Sequence, residues 1–214
     1  GEVLFSTFAE EHANLTLPDG TKVTMNSNSS LTYSPKDFNR DERCVDFNGE
    51  AYFNVAKNKS VPFVITTKDL TVRVLGTKFN LHAYAGNETM EVTLEEGEIL
   101  VSSRKEEKKL LPNQKAVLNC QDGSILVLEE KRPEDASVWK NNELVFIDEQ
   151  LENVIVALEE NYNISIHIKG LNIDSDLFTG KVPSNDLLNA LEILKYSYHM
   201  DYRVDAKDIY FSKK

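Results

Sequence analysis

LTVRVLGTKFNLHAY, residues 70–84, alternates apolar and polar positions in two short runs: Leu70, Val72 and Val74, then Phe79, Leu81 and Ala83. A period of two puts each set on one face of a β-strand, and Gly76 falls where the register breaks, as a bend or bulge requires. No helical period fits the same letters. The stretch makes a pair of half-buried strands, and the sequence on either side follows the same rule.

Upstream, LTLPDGTKVTM (15–25) sets Pro18, Asp19 and Gly20 between the arms Leu15, Leu17 and Val23, Met25, which is hairpin chemistry. RCVDFNGEAYFNV (43–55) carries Val45, Phe47, Phe53 and Val55 on one face and Cys44 with Asp46 on the other, and its Asn48-Gly49 predicts a two-residue turn. Downstream, VTLEEGEILVSS (92–103) turns at Gly97, a charged turn covers Arg104–Lys109, and LLPNQKAVLN (110–119) and SILVLEE (124–130) supply the last strands. Many short strands between turn signals predict an all-β, jelly-roll-like sandwich over residues 1–130.

The pattern changes at KRPEDASVWKNN (131–142), which has no period and reads as a linker. ELVFI (143–147) is a strand, and Asp148 is the expected cap of a helix with Leu151, Val154, Ile155, Leu158 and Tyr162 on one face. Ile164, Ile166 and Ile168 alternate as a strand, and LFTGKV (177–182) is another. Ser184 is the expected cap of a second helix carrying Leu187, Leu191, Leu194 and Tyr198, and DYRVDAKDIYFS (201–212) closes as a hairpin. Residues 143–214 therefore form a small α+β domain of order β-α-β-β-α-β-β.

The 214 residues carry a formal charge of −11, shared between the two parts, so phosphate backbones and anionic membrane surfaces are repelled. Nucleic acid is excluded as a partner. No apolar run approaches the roughly 18 residues of a spanning helix, and with Gly1 in place of a Met the expectation is a natural protein that continues upstream through a membrane anchor.

His12, His82, His167 and His199 are scattered without metal-ligand spacing, so no metal or cofactor is expected, and strand alternation turns His82 and His167 outward. GxSxG, P-loop and GxGxxG motifs are absent, which argues against an enzyme. Glu95-Glu96 and Glu129-Glu130 are strand neighbours that point to opposite faces and read as solvated surface. Cys44 and Cys120 are either free thiols or a bridge closing a long loop. Trp139 either packs at an interdomain seam or, if exposed, stacks on a sugar, the feature that a jelly-roll carbohydrate-binding protein would need.

The runs LPDGTKVTMNSNSSLTYSPKDFN (17–39), GEAYFNVAKNKSVPFVITT (49–67), VRVLGTKFNLHAY (72–84), TLEEGEILV (93–101) and LLPNQKAVL (110–118) resemble, in order, the extracytoplasmic domain of FecR-type anti-sigma regulators. WKNNELVFIDEQLENVIVALEENYNISIHI (139–168) and LFTGKV (177–182) are similar to the FecR C-terminal domain of Bacteroidota proteins. The resemblance implies a jelly-roll first domain and a second domain like the secretin/TonB short N-terminal fold. It implies the periplasmic part of a single-pass inner-membrane protein whose cytoplasmic segment, outside this chain, binds an ECF sigma factor. It also implies a partner, the N-terminal signalling domain of an outer-membrane TonB-dependent transducer, received on residues 143–214. Tyr196, off the apolar helix face, and Tyr210, opposite Ile209 and Phe211, are the candidate contact residues. Gly49, Gly76 and Gly97 have a sufficient backbone role, and Phe178 and Val182 share a core-facing strand side.

Overall fold

The computed structural model describes residues 1–213. The chain divides into two compact units, residues 1–140 and residues from 141 onward. In the first unit the strands are β1 (Val3–Ser6), β2 (Ala13–Thr16), β3 (Lys22–Met25), β4 (Ser30–Tyr33), β5 (Arg43–Asn54), β6 (Phe63–Thr66) and β7 (Thr71–Val74). They continue as β8 (Lys78–Ala83), β9 (Thr89–Glu96), β10 (Ile99–Ser102), β11 (Glu107–Leu110), β12 (Gln114–Asn119) and β13 (Ile125–Glu129). One layer runs β1-β4-β5-β6-β7-β10-β11, the other β2-β3-β5-β8-β9-β12-β13, and β5 belongs to both.

This sharing corrects the expected turn at Asn48-Gly49. β5 is one unbroken 12-residue strand. Its first half pairs with β6 and β4, and from Gly49 on it pairs with β8 and β3. Gly49 has φ +123°, and a Cβ there would lie 2.1 Å from Ser29 Oγ, which accepts the Glu50 amide at 3.0 Å. The conformational freedom that makes Gly a turn residue is used here to bend a strand from one layer into the next.

Between the layers the alternating residues of both interlock. Phe53 stacks on Phe79 with centroids 5.3 Å apart and meets Phe47 edge-on at 5.5 Å. At the start of β5 a charge enters this core: Arg43 is fully buried. Its guanidinium donates to Asp19 Oδ2 at 2.8 Å and to the carbonyls of Val61 (2.8 Å) and Ala56 (2.7 Å), and its carbon lies 5.4 Å from the Phe63 ring centre. Asp19 is the turn residue of the β2–β3 hairpin, and its other oxygen accepts the Thr21 amide at 3.0 Å.

Two further readings change. The charged stretch 104–109 contains β11, paired with β10, because Leu110 needs a strand to reach the core. Residues 133–141, expected as a linker, form a 3-10 helix with Pro133, Ser137 and Trp139 buried.

The second unit has the expected element order: β14 (Glu143–Gln150), α1 (Leu151–Tyr162), β15 (Ser165–Lys169), β16 (Leu177–Pro183), α2 (Leu187–Tyr198), β17 (Met200–Asp205) and β18 (Asp208–Lys213). β14 pairs with β16, and β15-β18-β17 form a separate three-stranded sheet in which β15 and β18 are parallel. Leu151, Val154, Leu158, Leu191, Leu194, Phe178, Val182, Ile209 and Phe211 are buried together.

The helix starts differ from expectation. Asp148 lies in a bulge of β14 with φ +47°, held by Thr179, and α1 begins after Gln150 with no side-chain cap. Asp186, not Ser184, caps α2 by accepting the Asn189 amide at 3.1 Å. The Asp148 carboxylate accepts the Thr179 hydroxyl at 3.1 Å and no helix amide, and a cap must stand immediately before the first helical turn.

Arg43→Ala leaves Asp19 buried without its countercharge and should lower the unfolding free energy of the first unit by about 3–5 kcal/mol. In urea titrations Asp19→Ala should cost a comparable amount, and the double variant should cost clearly less than the two losses added together.

Candidate functional site

The three-stranded sheet of the second unit has a core face and an open face. Ile166, Ile209 and Phe211 turn inward, which leaves His167, Tyr210 and Arg203 in one cross-strand row on the other side. Tyr210, in the central strand, stacks on the His167 ring at 4.8 Å with an interplanar angle of 17°, and the Arg203 guanidinium lies 4.5 Å from its centroid. His167 Nε2 is 2.9 Å from Asp208 Oδ1. The row lies in a shallow depression of about 520 Å³ that also includes Lys169, Asp201 and Ser212. Two cations and an imidazole around a half-exposed phenol form a polar, aromatic platform, suited to a protein surface and lacking the enclosure of a catalytic pocket.

One side of this sheet ends in β17. The two-residue turn at Ala206-Lys207 makes Asp205 and Asp208 a hydrogen-bonded pair, so the N–H and C=O of Val204 face away from β18. Val204 is itself 47% exposed. An edge strand with outward amides is a template for strand addition.

Of the two expected contact residues, Tyr210 belongs to this platform. Tyr196 is 70% exposed on the outward side of α2, with Lys195 Nζ 5.7 Å from its ring centre, and so belongs to a different surface. The sequence marks His167 as outward-facing but not as a contact residue, and it does not mark Arg203, although the same alternation that exposes Tyr210 exposes both.

A second polar constellation lies on the outer face of the first unit, where the 133–141 helix crosses it. Trp139 Nε1 donates to Asn80 Oδ1 at 3.0 Å, and His12 meets the indole edge-on at 5.6 Å. Asn80 in turn donates to Glu50 at 3.0 Å. Tyr52 donates to Glu95 at 2.7 Å, Ser137 reaches the other Glu95 oxygen at 3.3 Å, and Lys140 Nζ sits 3.5 Å above the Tyr52 ring. Trp139 is thus buried, with its partners inside the first unit, and Glu95 is engaged where free solvation was expected. An exposed tryptophan for sugar stacking is not present.

Burial, then the Glu95 carboxylate, push the Tyr52 phenol well above its ordinary value. Cys44 and Cys120 are both free, and burial raises each thiol, so neither is an activated nucleophile. Among the described residues no three His, Cys, Asp or Glu side chains group as metal ligands, and no helix is long and apolar enough to cross a membrane.

Residues 4–100 match the family model described as FecR protein, and residues 143–211 match the one described as FecR, C-terminal. The chain belongs to the FecR family. It is similar to a structure at 2.50 Å resolution of an anti-sigma-factor candidate from Parabacteroides distasonis, with 32% identity, 100% of this chain and 99% of the other covered, and a TM-score of 0.75. A 1.65 Å structure of an anti-sigma-factor candidate from the same organism gives 32% identity, 99% coverage of both chains and a TM-score of 0.74. No curated protein matches the chain.

Two outcomes follow for this FecR chain. Trp139→Phe keeps the apolar bulk but strands the buried Asn80 carbonyl, and should lower first-unit stability by about 1–3 kcal/mol in urea. Tyr52, raised in the folded state, contributes stability only while the unfolded phenol is also protonated. That contribution is present below pH about 10 and is lost as pH rises further. Thermal denaturation followed through the alkaline range should show a loss that is smaller in Tyr52→Phe.

Proposed function

We propose that this FecR chain is the signal-receiving part of an anti-sigma regulator. It lies in the periplasm, takes a signal from the N-terminal signalling domain of an outer-membrane TonB-dependent transducer, and passes it to a cytoplasmic ECF sigma factor through a segment outside this chain. Family membership and the anti-sigma naming of the similar structures support the regulatory class. The observation that carries the receiving step is the Tyr210 row beside the open edge β17, within the part that matches the FecR C-terminal model.

On this reading the transducer domain adds a strand to β17 and covers Tyr210, His167 and Arg203. Backbone hydrogen bonds supply most of the affinity and the platform supplies discrimination. The charge of −11 keeps the receiver off anionic membrane and lets it meet a partner by specific contact. A carbohydrate-binding reading has less support, since the single tryptophan is buried against the first unit.

Calorimetric titration of the cognate signalling domain should show binding to residues 141–214 and none to residues 1–140. Val204→Pro removes an outward amide without touching the β17–β18 ladder, and should nearly abolish binding while the hairpin stays folded by NMR. Tyr210→Ala should weaken it by about 1–2 kcal/mol, and Tyr196→Ala by less. Full-strength binding to residues 1–140 alone would overturn the assignment.

A further inference from the structure

On the outer face of the first layer, register places Leu100 of β10 between Arg73 of β7 and Lys109 of β11. Where β7 ends, Leu75 stands 43% exposed. Lys57 and Lys59, from the loop after β5, complete the rim of a groove of about 470 Å³ whose floor is Val74, Leu75 and Leu100.

Two glycines let three backbone segments close around this groove. A Cβ on Gly76 would lie 2.7 Å from Lys57 Cα, and one on Gly97 would lie 2.9 Å from the Gly76 carbonyl oxygen. The Lys57 loop is tied down where the Asn58 amide donates to the Leu75 carbonyl at 2.8 Å. The lysines therefore project from a fixed backbone, not from a loose surface loop.

The charge here runs against the rest of the molecule. On a chain of net −11, four cations gather around one exposed apolar floor. Arg73 is already answered by Glu42 at 2.6 Å and Lys109 by Glu98 at 3.1 Å. Lys57 and Lys59 have no ion-pair partner among the described residues. A cationic rim over apolar ground selects an anion that also carries apolar groups. Because the groove is an open sheet face, a small anion would keep much of its surface in water, whereas an extended segment covers Leu75 and Leu100 and brings carboxylates to the rim.

We propose that this groove docks an extended acidic segment of a partner protein, with its apolar side chains on Leu75 and Leu100 and its carboxylates on Lys57 and Lys59. The site lies in the first unit and is independent of the platform around Tyr210.

The test uses the whole chain and an end-blocked, fluorescein-labelled Glu-Leu-Glu-Leu-Glu-Leu peptide, read by anisotropy and by amide NMR shifts. Binding should weaken with salt, shift Leu75, Gly76, Gly97 and Leu100, and be absent for a Lys-Leu repeat. Lys57→Glu combined with Lys59→Glu, both exposed, should leave the melting temperature unchanged and weaken binding by roughly tenfold or more. Leu75→Ser should weaken it without altering the salt slope. No binding, binding unchanged in the lysine variant, or shifts confined to residues beyond 141 would overturn the proposal. So would displacement of the peptide by decanoate at lower concentration, which would make a small amphipathic anion the occupant.

Discussion

One strand cannot serve two sheets unless its backbone bends between them, and the first unit is arranged around that bend in β5. Gly49 is the point of passage, with Ser29 packed where a side chain would stand. Because both layers hydrogen-bond to the same 12 residues, neither can shift against the other without breaking β5 pairing. The start of the strand is anchored differently. There Arg43 meets Asp19 and two carbonyls, so a single buried cation ties the β2–β3 turn and the 56–61 loop to the strand that joins the layers. A buried ion pair is weak evidence for net stability, since desolvating both charges offsets much of their attraction. It is strong evidence for a specified arrangement, because the cation has few places in an apolar core where its hydrogen bonds can be met.

The outward faces divide the labour. Much of the chain's surface is acidic and solvated, but three places depart from that: the Tyr210 row, the groove under Lys57 and Lys59, and the ground covered by residues 133–141. The last is already occupied by the chain itself. Asn80, Glu50 and Glu95 occupy outward strand positions, which would ordinarily be wet, and are partly or fully buried because Trp139 and Ser137 lie over them.

How much of this could be read from the letters depends on the range of the interaction. Alternation over Leu70–Ala83 and the helical spacing of Leu151–Tyr162 act between near neighbours, so they mark those strands and that helix. Asn48-Gly49 is the instructive failure. Its local preference is for a turn, yet Ser29 and the pairing with β4 and β8 recruit the same positive φ for a bend. Asp148 and Ser184 fail by a few residues, as caps do when several polar side chains precede a helix. Arg43 looks like any strand cation until Asp19 comes into view, 24 residues away in sequence. Tyr210 was legible as outward-facing, whereas its stacking between His167 and Arg203 depends on a parallel pairing across 43 residues.

The 3-10 helix at Pro133–Asn141 also sets how the last contacts of the first unit carry load. It ends at Asn141, and β14 begins at Glu143. Lys140 and Trp139 are the last residues of this strap to touch the first unit, so a pull on the chain at Asn141 loads the Lys140–Tyr52 contact first and the indole after it, one contact at a time, as in peeling and unlike shear.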